Sequence, residues 1–303
     1  MIDVEHARRT IAGRVHRTPM LTSATLGVHL KAELFQKTGS FKARGALNRI
    51  AALTDGERRR GVVTWSAGNH AQAVAWASAQ HGVDCLVFMN AHASPLKVEA
   101  TRGYGATVDL EAPDHVVSYE RAMEAVERTG RVFVHPHDDP YVIAGHGTLA
   151  LEILEDVPDV STVVVPVGGG GLVAGIVSGL EGRAHVIAVE PEQAQAFRAG
   201  LEAGHSVTVE TSTIADGLAP PFAGELALQI CRGVVDSVLV SEEEIADAMR
   251  FLYTRAKLAC EPAGAAAVAA IRAGKVDLAG SVVAVVSGGN AVPAEAAAIL
   301  ASR

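Results

Sequence analysis

The stretch 162–180, TVVVPVGGGGLVAGIVSGL, decides how the chain is read. It lies in a run, 161–180, of 20 residues without a charge, but Pro166 and four successive glycines would break a lone membrane helix there. The run reads instead as a buried strand, a loop and a helix. A helix N-terminus carries free backbone N–H groups and about half a positive charge, and residues without side chains let an anion approach them. Gly168, Gly169, Gly170 and Gly171 therefore read as a phosphate cradle. A tight turn without function is the alternative, although four glycines cost backbone entropy that such a turn does not need. The phosphate's owner stays open on this segment. Gly169, Gly171 and Ala174 also satisfy G-x-G-x-x-A, with Glu190 following 19 residues after Gly171 at the end of the run VIAV, so a dinucleotide such as NAD fits too.

Outward from this stretch, short apolar runs recur at 61–64 (GVVT), 85–89 (CLVFM), 107–110, 132–135, 186–189, 238–240 and 281–286 (SVVAVV). Strands that are apolar on both faces suit a parallel sheet covered on both sides. Alanine-rich stretches of helical length alternate with them, at 70–80, 97–102, 119–129, 145–154 and 242–258, which predicts an α/β fold. The length of 303 residues suggests two domains at roughly 150 residues each. Two βα sets stand out, at 61–137 and from 161 onward.

Composition narrows the function. Apolar residues make up 49% and charged residues 20%, which excludes disordered and fibrous classes. With 26 basic against 34 acidic residues the net charge is −8, the wrong sign for holding nucleic acid. Cys85, Cys231 and Cys260 form neither a zinc spacing nor a disulfide framework, which fits a reducing compartment. The opening MIDVEHARRT carries acids where a secretory signal needs basic residues before an apolar stretch, so a cytoplasmic protein is expected. The basic run at Arg58, Arg59 and Arg60 reads as a solvated helix end. The run His135-Pro136-His137-Asp138-Asp139 is the best metal candidate, but Pro136 makes it a bend and no metal site is expected.

Three further segments bear on the glycine loop. KTGSFKARGA (37–46) places a turn before Lys42; SAGNHAQ (66–72) follows GVVT and opens a helix; SGGN (287–290) follows SVVAVV. These are the places where α/β proteins put ligands. Together with VIAGHGTLALEI, VPVGGGGL, TIADGLA and CEPAGA, in that order, they make the chain resemble the pyridoxal-phosphate enzymes of the tryptophan-synthase fold type (fold-type II). Within that fold type it resembles the group of threonine dehydratase and serine racemase, and the likeness covers nearly the whole chain.

The resemblance implies a two-domain α/β architecture with mainly parallel sheets: a large cofactor-binding domain of 1–60 and 138–303, a small substrate domain of 61–137, and pyridoxal 5'-phosphate in the cleft. It implies that Lys42 holds the cofactor as a Schiff base and is the catalytic base. Phe41 lies against the ring, Asn69 bonds the ring hydroxyl oxygen, Gly168, Gly169, Gly170, Gly171 and Leu172 bind the phosphate, and Ser287 faces the pyridine nitrogen. Each role is chemically reasonable. Lysine is the residue whose proton is readily lost on burial, and a neutral hydroxyl at the ring nitrogen makes a weaker electron sink than a carboxylate, which favours elimination over transamination. Ser66, Gly68, Asn69 and His70, at a helix start, suit the substrate α-carboxylate.

Serine racemases of the group carry a serine where this chain has Ala67, and a methyl group cannot protonate the opposite face of Cα. Relatives with a divalent metal use an aspartate where this chain has Ala196, beyond Glu190 and Ala194, so no strong metal site is expected. Since the chain stops at Arg303, soon after SGGN, control through a C-terminal regulatory domain is not expected. The expected activity is a threonine or serine dehydratase converting a β-hydroxy amino acid to a 2-oxo acid and ammonia. The alternatives are a serine racemase, a dehydratase of another hydroxy amino acid and, outside the family, an NAD-binding oxidoreductase. A small amino acid is the expected partner, with no nucleic acid or membrane, in a homo-oligomer, dimer or tetramer.

Overall fold

The valine-rich runs pair as strands buried on both faces. The structure, a computed structural model, describes residues 2–302. Ten strands are formed: β1 (Met20–Ser23), β2 (Val28–Ala32), β3 (Val62–Trp65), β4 (Cys85–Asn90), β5 (Thr107–Ala112), β6 (Val132–Phe133), β7 (Val160–Pro166), β8 (His185–Pro191), β9 (Val235–Val240) and β10 (Ser281–Val286). They make a six-stranded sheet of order β1-β2-β10-β7-β8-β9 and a four-stranded sheet of order β5-β4-β3-β6. All neighbours run parallel except the β1–β2 hairpin. The α/β expectation with mainly parallel sheets holds. Apolar clusters cover both faces of the large sheet, and the helices Pro262–Arg272 and Gly171–Leu180 contribute to opposite clusters. Two smaller clusters centre on the four-stranded sheet.

Two local expectations need correction. The helix expected over 242–258 runs only from Glu242 to Phe251, and a π-helical turn, Leu252–Ala256, then ends at Lys257 with φ 60°. β1 and β2 were not among the expected strands, since the apolar Val28, Leu30 and Ala32 alternate with His29 and Lys31. VHLKA in β2 contains Lys31, which is wholly buried and pairs with Glu152 at 2.7 Å. Glu152 also takes Arg44 at 2.7 Å, and Arg44 reaches Glu33 at 2.8 Å, so a buried charge network lies beside the apolar residues of β2.

Each sheet has one place where the strand order reverses. From β7 the chain moves outward to β8 and β9, while β10 returns on β7's other side. From β3 it moves outward to β4 and β5, while β6 returns on the other side. At such a switch point the loops leaving the carboxyl ends diverge and open a crevice. The loops at the first are GGGG and SGGN; at the second they are SAGN and the run 135–139.

Candidate active site

Lys42 opens the helix Lys42–Ala51. That helix cannot shift easily. Arg44 ties it into the buried charge network, and Gly145 of the helix Pro140–Asp156 approaches so closely that a Cβ there would lie 2.5 Å from the Arg44 carbonyl oxygen. The Lys42 Nζ donates to the Pro136 carbonyl at 2.7 Å, which links the helix to the loop after β6. Burial pushes the amine down to about 8, because a charged ammonium loses its hydration there. The Phe41 ring lies 5.1 Å from that nitrogen and meets the His146 ring edge-on at 4.8 Å.

The turn before Lys42 is stitched to SGGN. Phe41 N–H donates to the Ser287 carbonyl at 3.1 Å, and Gly289 N–H donates to the Gly39 carbonyl at 2.9 Å. Thr38, at φ 59°, offers its carbonyl to Asn290 Nδ2 at 2.7 Å. Ser287 is buried and thereby held beside Phe41.

Each glycine of the loop has a neighbour where a side chain would begin. A Cβ on Gly168 would lie 3.0 Å from Pro220, one on Gly170 2.8 Å from Ala227, and one on Gly171 2.9 Å from the His137 carbonyl. On Gly169 it would collide with the His137 ring. Gly170 has φ 89°, a conformation open to glycine at little cost, and caps the helix Gly171–Leu180, in which Leu172 is the buried second residue.

The loop after β3 is different. Ser66 Oγ accepts from Gly68 N–H at 3.2 Å, and a Cβ on Gly68 would meet nothing within 4 Å. Gly68 caps the helix Asn69–Gln80, whose first N–H groups belong to Asn69 and His70. His70 donates from Nε2 to the Val134 carbonyl at 3.1 Å; burial above all, then Lys42, keeps it neutral.

Asn69 joins the two switch points. Its Nδ2 donates to Glu261 Oε1 at 2.6 Å, and its Oδ1 accepts from Asn290 at 2.8 Å. Burial, with Asp216 adding to it, pushes the Glu261 carboxyl up to about 7. Glu261 and Asn290 were given no role by sequence reasoning. CEPAGA and SGGN flagged the segments, but the charge of a buried glutamate gives no hint that its partner is an asparagine 192 positions away.

Three side chains of the run 135–139 are taken up by backbone N–H groups, and Asp139 also pairs with Arg49 at 2.9 Å. His135 Nδ1 accepts from Asp138 N–H at 2.8 Å, Asp138 from Leu226 N–H at 2.9 Å, and Asp139 from Tyr141 N–H at 2.8 Å. Glu190, the acid a dinucleotide would place on its ribose, instead accepts from the backbone N–H groups of Phe197 (2.8 Å) and Arg198 (2.9 Å).

Residues 11–288 match the family model described as pyridoxal-phosphate dependent enzyme. This chain belongs to that family. The L-threonine ammonia-lyase of Thermotoga maritima is 47% identical over 300 residues, covering 95% of this chain and 75% of the relative. A maize serine racemase structure superposes with TM-score 0.91 at 36% identity, covering 96% of this chain and 93% of that one. A threonine deaminase structure from T.th. gives TM-score 0.89 at 40% identity, over 96% and 98%. Pyridoxal phosphate is the family's cofactor, and the residues present fit it: a buried amine of lowered proton affinity stands near a helix-start loop with no side chains. Family membership leaves the NAD reading without support.

Proposed function

We propose that this enzyme is an ammonia-lyase that eliminates water from L-threonine or L-serine and yields a 2-oxo acid and ammonia. The observation that carries this is the placement of Lys42 between the two switch points, with its amine buried and held by the Pro136 carbonyl. Similarity to a threonine ammonia-lyase supports the substrate class.

Pyridoxal phosphate, when bound, supplies an electron sink for the charge that develops at the substrate Cα. The backbone N–H groups of residues 168–171 and Leu172 hold its phosphate. Phe41 covers a ring face and Ser287 presents its hydroxyl to the ring nitrogen. Asn69 Nδ2 has two N–H groups; Glu261 takes one, and the second serves the ring oxygen. The Ser66 hydroxyl and the N–H groups of Gly68, Asn69 and His70 hold the substrate carboxylate. Lys42 Nζ takes the Cα proton, a role suited to an amine that exchanges its proton near neutral pH.

The four-stranded sheet centres the proposed small domain of 61–137 and the six-stranded sheet the large domain of 1–60 and 138–303, of which Met1 and Arg303 lie outside the described residues. Among the described residues no helix is long and apolar enough to cross a membrane. We place the enzyme in the cytoplasm as a homo-oligomer.

Incubation with L-serine tests the reaction type, with a pyruvate assay run beside chiral chromatography. Pyruvate in large excess over D-serine is expected, and Ala67→Ser should raise the D-serine share. D-serine formed as fast as pyruvate by the native enzyme would reject the lyase assignment.

A further inference from the structure

Glu190 is singled out by the sequence and left without a part in the proposed chemistry, yet it is wholly buried near the end of β8. Both of its oxygens are engaged: Oε1 accepts from Phe197 N–H at 2.8 Å and Oε2 from Arg198 N–H at 2.9 Å. Those N–H groups belong to the first turn of the helix Ala196–Ala203, whose own N-cap residue, Gln195, makes no capping bond with its side chain. A helix start needs acceptors for its free N–H groups. Glu190 supplies them from outside the helix.

The second residue of that helix carries the ring that backs the glycine loop. Phe197 is wholly buried, and a Cβ on Gly170 would lie 2.9 Å from its ring. Of the loop's four glycines Gly170 alone has a positive φ. Glycine adopts positive and negative φ about equally readily, so four in succession hold no shape unless neighbours impose one. β8 imposes it twice. Val167 N–H, at the loop's entry, donates to the Val189 carbonyl at 2.8 Å, and the next residue of β8 is Glu190, which holds the helix that bears Phe197.

We propose that Glu190 is a positioning residue for the phosphate cradle: by fixing the start of the helix Ala196–Ala203 it keeps the Phe197 ring against Gly170, and so keeps the loop's N–H groups convergent on one anion. The inference rests on the phosphate placement proposed above. A loop shaped before its ligand arrives loses less freedom on binding, so the effect of Glu190 falls on the phosphate's share of cofactor affinity. Glu190→Gln offers one acceptor oxygen to two N–H groups and turns an amide N–H2 toward the other.

The test strips the holoenzyme of cofactor and titrates back either pyridoxal phosphate or pyridoxal, which has the same ring and aldehyde without the phosphate, by visible absorbance. For Glu190→Gln the dissociation constant of pyridoxal phosphate should rise about tenfold, equivalent to about 1.4 kcal/mol. That of pyridoxal should stay within about twofold of native. Native affinity for both compounds, or an equal loss for both, would overturn the inference and leave Glu190 as a helix cap alone, even if the melting transition falls. Should Glu190→Gln not fold, Phe197→Leu decides, since it keeps the backbone bond to Glu190 and removes the ring: the same selective loss is expected, and an unselective or absent one overturns the inference. Gly168→Asp runs in parallel, because its Cβ would meet Pro220 and Leu218 rather than Phe197. If it keeps the native preference for pyridoxal phosphate over pyridoxal, the phosphate placement itself is wrong; if it loses that preference while Glu190→Gln retains it, only the role of Glu190 is.

Discussion

Two glycine-bearing loops stand at equivalent places, each after the first strand of a parallel set at a switch point, and they are built in opposite ways. After β7, all four glycines face atoms that a Cβ would strike or crowd, and the loop is sealed by Phe197, Ala227, Pro220 and His137. After β3, Gly68 faces open space. Both open a helix and both offer unpaired N–H groups to an anion. Only the first excludes side chains at all of its glycines. A walled loop suits an anion that stays through every turnover, and an open one suits an anion that must arrive and leave. On the function proposed above, the same helix-end chemistry would serve a resident phosphate in one sheet and a transient carboxylate in the other.

Lys42 stands where the two loops converge, so its loss should have the largest effect. Lys42→Ala is expected to lower elimination by at least about 10³-fold and to abolish the borohydride-reducible attachment of cofactor; retention of either would place the reactive amine elsewhere. The walled loop should come next. Gly169→Asp drives a side chain into the His137 ring that backs the loop and brings a like charge to the proposed phosphate site, and a loss of cofactor affinity on the order of 100-fold is expected in an absorbance titration. The smallest effect belongs to the open loop. Gly68→Ala should leave cofactor affinity within about twofold and raise KM for L-serine roughly three- to tenfold, because a methyl group there enters space rather than protein. If Gly68→Ala weakened the cofactor as strongly as Gly169→Asp, the division of labour between the loops would fail.

The parallel sheets were legible because their strands are apolar on both faces; TVVVPV and SVVAVV stand out without any partner in view. The loops were legible because glycine, serine and asparagine cluster directly after those runs. β1 and β2 were not, since Lys31 is neutralised by Glu152 on a distant helix, and a buried ion pair looks like a surface in sequence. Glu261 was hidden for a similar reason. His137 drew attention as a possible metal ligand through the company of His135 and Asp138, whereas the fold turns those neighbours to backbone bonds and leaves the His137 nitrogen alone. Which side chains are already spoken for is a property of packing that spacing does not encode.

The position of β10 bears on how the enzyme is made. It is the last strand in the chain, yet it lies between β2 and β7 in the middle of the six-stranded sheet. During synthesis the hairpin formed by β1 and β2 therefore emerges long before the strand that joins it to β7. Until residues 281–286 leave the ribosome, both flanking strands present unpaired backbone edges of the kind that recruit foreign strands. Ser287, Gly289 and Asn290 follow immediately, so the bonds that fix Phe41 and Thr38 form only after β10 has been made. The stitching of the turn before Lys42 is therefore completed by the strand made last among those described, not by its neighbours in sequence.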